Sequence, residues 1–122
     1  MAHFFFGLGS LLAGLAVAAG AYGAHGAETS LGLKQANWIT KAARYQMYHG
    51  LAMLAIAWAC LQWPDQAWFF SCAGFFFLTG TVCFSGSLYL MAFTKIRLGY
   101  VTPLGGLAFI IGWLVMAIGA WS

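Results

Sequence analysis

From Phe4 to Ala24 the chain runs without one charged side chain, and comparable runs recur over residues 46–61, 67–93 and 104–121. At ~1.5 Å per residue each run reaches the roughly 30 Å of a bilayer core, the second only with a start a little upstream. The third is the longest and must tilt or protrude. Of 122 residues only 6% are charged and 63% are hydrophobic, whereas a soluble domain has about a quarter charged. Five Lys/Arg and two Asp/Glu cannot cover a water-facing surface. The expectation is one all-α integral membrane domain over residues 1–122, with four transmembrane helices in an up-down bundle. The spans are expected near residues 4–24, 44–62, 67–93 and 103–121.

The first run ends in small residues, as a secretory signal does, but lacks the basic leading region of one and reads as a transmembrane helix. Charge sets the orientation. Lys34, Lys41 and Arg44 lie between the first two runs and Lys95 and Arg97 between the last two, while the Trp63–Gln66 turn carries only Asp65. The positive-inside rule puts both basic loops in the cytoplasm and both termini outside. These five cations point to anionic lipid headgroups as partners rather than to nucleic acid.

Lys34, Asn37, Lys41, Arg44 and Tyr48 recur at spacings of 3 and 4 and form one polar stripe, so the second span begins with an amphipathic extension at the interface. Thr102-Pro103 reads as an N-cap followed by proline at the first helical position. Cys60, Cys72 and Cys83 lie in apolar runs without ligand spacing and read as small buried apolar residues.

Lipid removes most of the hydrophobic drive between helices, so small residues that admit close approach become the association signal. Ser10, Gly14 and Ala18 form one such face on the first helix, Ala16, Gly20 and Ala24 a second, and Ala108 and Gly112 a third on the last helix. Two small faces on one helix leave room for a homo-oligomer or for docking on a larger membrane complex.

The remaining polar residues gather at one depth. His25 ends the first helix at the cytoplasmic side. Arg44, Tyr45, Gln46 and His49 begin the second there, and Ser85, Ser87 and Tyr89 lie about two turns from the inner end of the third. Ionisable groups in a membrane usually face the bundle interior. Such a cluster is compatible with interhelical hydrogen bonding, a proton relay, a pocket for a small molecule, ion or anionic lipid, or a metal or haem site; hydrogen bonding is the default. No catalytic constellation emerges, because Glu28 and Asp65 both lie in turns, on opposite sides of the membrane. Two histidines fall short of a metal's usual ligand count, and bis-histidine haem ligation by His25 and His49 has no further support. The expectation is no enzyme, no cofactor and no metal.

Four stretches, GAYGAHG, ARYQMYHGLAMLAI, FSGSLYLMAF and VTPLGGLAFIIGW, resemble in collinear order the family known as domain of unknown function 423. That family takes in bacterial YgdD-like inner-membrane proteins and eukaryotic transmembrane protein 256. The matching positions are Gly23, His25 and Gly26; Tyr45, Gln46 and His49; Ser85, Gly86, Ser87 and Tyr89; and Thr102, Pro103, Gly105 and Gly106. One departure is Gly50 after His49, where family members more often have alanine. The resemblance implies a small multi-pass protein of the bacterial inner membrane and supplies no reaction.

Overall fold

A computed structural model describes residues 1–122 and contains only helices. α1 spans Ala2–His25, the short α2 spans Ala27–Leu31, and α3 spans Leu33–Gln62. A 3-10 turn at Pro64–Gln66 leads into α4 (Ala67–Gly80). A π-helical turn at Thr81–Ser85 joins α4 to α5 (Gly86–Phe93), and α6 covers Val101–Trp121. Three stretches are long and apolar enough to cross a membrane: Ala2–His25, Pro64–Phe93 and Val101–Trp121. α3 is also long, but its first half bears the cationic stripe. Lys34, Asn37, Lys41, Arg44 and Tyr48 are all exposed, whereas Ile39, Ala42 and Ala43 on its other side are buried.

Helix breaks follow local chemistry. Gly32 separates α2 from α3 with φ 103 and ψ 164, a conformation that an L side chain adopts only with strain. At the start of α6 the structure corrects the sequence reading. The helix begins at Val101 after Tyr100, so Thr102 lies inside the first turn and is not its N-cap. Pro103 still falls in the first turn, where its missing N–H costs no intrahelical bond.

Packing relies on phenylalanine rings seated on glycines. Phe5 of α1 covers Gly74 of α4, Phe109 of α6 covers Gly80, and Phe77 of α4 covers Gly112 of α6, where an added Cβ would stand 2.7 Å from the ring. Near the other end of α6, a Cβ on Gly119 would stand 2.6 Å from that of Phe69. Phe5, Phe70, Phe77, Met53 and Ile56 are fully buried. Against α3, Gly9 of α1 meets the Gly50 carbonyl and Met53, and Gly23 meets Thr40 and Ile39. With little hydrophobic drive available in lipid, this close interlocking supplies the dispersion contacts that hold such helices together.

The small-residue faces divide. Ala16 is buried and Gly20 lies against Ala43 of α3, while Ala24, at the end of that face, is exposed. Ser10, Gly14 and Ala18 point outward, and a Cβ added at Gly14 would meet nothing within 4 Å. On α6, Ala108 and Gly112 are both buried.

Candidate functional site

Two polar groupings converge where α3 meets the π turn, α5 and α6. In the first, Gln46 projects from α3, 5% exposed. Its Nε2 donates to the Leu12 carbonyl of α1 at 2.8 Å, and its Oε1 accepts the Tyr89 hydroxyl of α5 at 2.8 Å. Three helices therefore meet on one amide. Helical side chains lean toward their own N-terminus, and this lets Tyr89 reach back to Gln46. One turn away, the Ser85 hydroxyl donates to the Ala42 carbonyl at 2.8 Å.

The second grouping centres on His49, which is 3% exposed. Its Nδ1 lies 2.7 Å from the Tyr45 carbonyl and its Nε2 lies 3.2 Å from the Trp113 indole nitrogen of α6. A carbonyl only accepts and an indole N–H only donates, so these partners specify the neutral ring, protonated at Nδ1. The imidazole stacks on Phe109, ring centroids 3.5 Å apart and planes 7° from parallel. Phe77 closes one side at 5.2 Å. A metal or haem iron would have to displace Trp113 to reach Nε2.

Ser87 links α5 to α6. Its hydroxyl donates to the Phe84 carbonyl at 2.9 Å and pairs with the Thr102 hydroxyl. Thr81 donates to the Phe77 carbonyl within its own helical segment. The π turn makes this corner possible. It brings the backbone of Phe84 so close to Gly105 that a Cβ there would collide with the Phe84 nitrogen and stand 2.8 Å from its Cα. Because π turns often mark functional positions, this one belongs to the candidate site.

The expected cluster is only partly assembled. Gln46, Ser85 and Tyr89 join α1, α3 and α5, and His49 and Ser87 join their neighbours to α6. Tyr45, 37% exposed, lies on the rim, its ring 4.7 Å from that of Phe84. Arg44 is exposed. His25 ends α1 exposed and makes no hydrogen bond to Gln46, His49, Ser85 or Tyr89, so it stands apart from the cluster in which the sequence reading put it. No buried polar side-chain atom lacks a hydrogen-bond partner, and no group of three or more His, Cys, Asp or Glu is placed to hold a metal ion.

Trp113, Thr102 and the Leu12 carbonyl are the partners that the sequence reading missed. Trp113 left a usable signal. Tryptophan favours membrane interfaces, so one in the middle of an apolar helix needs an acceptor for its indole N–H.

Composition, helices and internally paired polar residues together define a small helical membrane protein. The chain belongs to the family described as "Protein of unknown function (DUF423)", whose profile matches residues 19–106. A UPF0382 membrane protein of Staphylococcus saprophyticus is 45% identical over 122 residues, covering 94% of each chain. A UPF0382 membrane protein of Staphylococcus epidermidis is 48% identical, over 91% of this chain and 89% of its own. The UPF0382 inner membrane protein YgdD of Escherichia coli is 44% identical, over 85% of this chain and 79% of its own. No solved structure matches.

Proposed function

We propose that this chain is a structural or accessory component of the bacterial inner membrane that self-associates or docks on a larger membrane complex, with neither enzymatic activity nor a cofactor. The observation that carries the reading is that every buried polar side-chain atom is engaged within the chain itself. A guest, metal or substrate would have to break those bonds to enter, so the cluster acts as interhelical glue. The outward Ser10, Gly14 and Ala18 face of α1 is the natural contact for a neighbour in the bilayer.

The topology belongs to the same reading. α3 supplies the second of four spans, its cationic first half lying along the cytoplasmic interface. The contacts of Gly9 with Gly50 and of Gly23 with Thr40 support opposite directions for α1 and α3, as Phe69–Gly119 and Phe77–Gly112 do for α4 and α6. An up-down bundle with both termini outside follows, with Lys34, Lys41, Arg44, Lys95 and Arg97 at anionic headgroups. The inner-membrane name of the E. coli relative supports the location.

The test is gentle extraction from native membranes followed by native mass spectrometry, with Gly14→Cys and Ala18→Cys crosslinking in a background without Cys60, Cys72 and Cys83. Oligomers or a stoichiometric partner, crosslinked through α1, are expected. Bare monomer with no crosslink overturns the reading.

A further inference from the structure

Beside the closed cluster lies an open groove of about 610 Å³ between α3 and α6. Tyr45, His49 and Phe84 line one side and the floor; Pro103, Gly106 and Trp113 line the other. We propose that this groove holds one acyl chain of an anionic phospholipid from the cytoplasmic leaflet, whose phosphate is gripped by Lys41 and Arg44.

Length, lining and charge carry the inference. From Pro103 to Trp113 α6 rises by ~15 Å, which is the hydrocarbon depth of one leaflet, half of the roughly 30 Å core. The lining is almost wholly apolar and aromatic, and its one imidazole is already bonded on both nitrogens. Apart from the Tyr45 hydroxyl on the rim, a polar ligand therefore finds no free side-chain donor or acceptor there, while a hydrocarbon chain finds continuous contact. Gly106 opens the wall: a Cβ there would touch only the Phe84 ring, at 3.9 Å.

At the groove's basic end, Lys41 stands one turn before Tyr45 on α3 and Arg44 immediately before it, both exposed. The α5–α6 loop with Lys95 and Arg97 leads into the opposite wall. Glu28 is the only acid on that side of the sequence, so the local field favours a phosphate. The groove shares His49 and Trp113 with the second polar grouping, whose hydrogen bonds stay intact when it fills. The inference rests on the proposed topology, in which these basic ends lie at headgroup level, and not on self-association.

The experiment is native mass spectrometry of the full-length protein in mild detergent, titrated with phosphatidylglycerol and phosphatidylcholine of identical chains. Each cation at headgroup level gives about a five-fold preference, so Lys41 and Arg44 together predict roughly 25-fold favouring phosphatidylglycerol in the first lipid bound. The double variant Lys41→Gln/Arg44→Gln brings that preference close to parity. Gly106→Leu fills the groove and abolishes the first binding event for both lipids; Ile110→Trp, from an exposed position on the same wall, serves as a second blocking variant. Equal retention of the two lipids by the unmodified protein overturns the proposal, as does unchanged retention in both groove-filling variants. Impermeant labelling of Gly99→Cys and Ser122→Cys, in a background without the native cysteines, reads the topology separately. A wrong topology is thereby distinguished from a wrong ligand.

Discussion

Gly105 and Gly106 are neighbours in sequence and should respond oppositely to the same added methyl group. At Gly105 a Cβ would collide with the backbone nitrogen of Phe84 and lie 2.8 Å from both the Cα and the Cβ of that residue. These atoms belong to the π turn, so relief requires moving α6 or unwinding the turn. Overpacking of this kind costs roughly 1–3 kcal/mol, and a backbone obstacle places Gly105→Ala toward the upper end. Replacing a helical glycine by alanine returns at most about 1 kcal/mol, leaving a net loss of ~2 kcal/mol. At Gly106 the nearest atom to the new Cβ is the Phe84 ring at 3.9 Å, an ordinary contact. Gly106→Ala should therefore be neutral or stabilise by up to about 1 kcal/mol. Thermal unfolding in one detergent, followed by a dye that reports newly exposed cysteine, compares the two with the unmodified chain. A melting temperature several degrees lower for Gly105→Ala and unchanged or higher for Gly106→Ala is the expected pattern. If Gly105→Ala melts with the parent protein, the close approach of α6 to the π turn is wrong.

Gln46→Leu strands the Tyr89 hydroxyl and should destabilise by ~1–3 kcal/mol, with Gln46→Leu/Tyr89→Phe recovering part of the loss; additive losses in the double mutant would refute the shared bond. His49→Phe removes the acceptor of the Trp113 indole, and its coupling with Trp113→Phe should be about 1 kcal/mol in a double-mutant cycle; zero coupling argues against the pair. Gly32→Ala should cost roughly 1–3 kcal/mol because of the positive φ, and a melting curve identical to that of the parent would exclude that backbone conformation. Zinc titration should leave tryptophan emission unchanged, since both His49 nitrogens are engaged; saturable quenching lost in His49→Phe would contradict that tautomer and its partners.

Hydropathy made three of the long helices legible, and 3–4 spacing located the outward cationic stripe of α3. The sequence also put Gln46, His49, Ser85 and Tyr89 at one depth, because depth is counted along a helix axis. Rotation about that axis is set by packing, and there the reading fell short. His25 missed on both counts: it lies thirteen residues beyond Leu12, whose carbonyl Gln46 reaches, and it is exposed, while Gly23 meets α3 through Thr40 and Ile39. Thr102 read as a local cap, but Val101 had already begun the helix and its hydroxyl was free to meet Ser87. The π turn was invisible for a similar reason. Its residues, Thr81–Ser85, have no composition that favours wider winding, and the close fit of Phe84 on Gly105 belongs to two segments at once.

A π turn is an α-helix with one residue too many, and this gives the α4–α5 rod a phase offset. Removing one residue from Thr81–Ser85 would restore regular winding and leave the residues beyond it on nearly their present faces, because the wide turn absorbs the extra residue; keeping all five residues but winding them as α-helix would turn everything beyond by about 100°. In that second case Ser87 would swing away from Thr102, and Tyr89 from Gln46. Within the family, a chain that loses this residue keeps its later hydroxyls on the same faces, one position earlier in the count, and no longer needs glycine at the position facing the turn. Length in this segment and Gly105 should therefore be inherited together, so a single-residue gap in an alignment here marks the loss of the π turn with the later helical face retained.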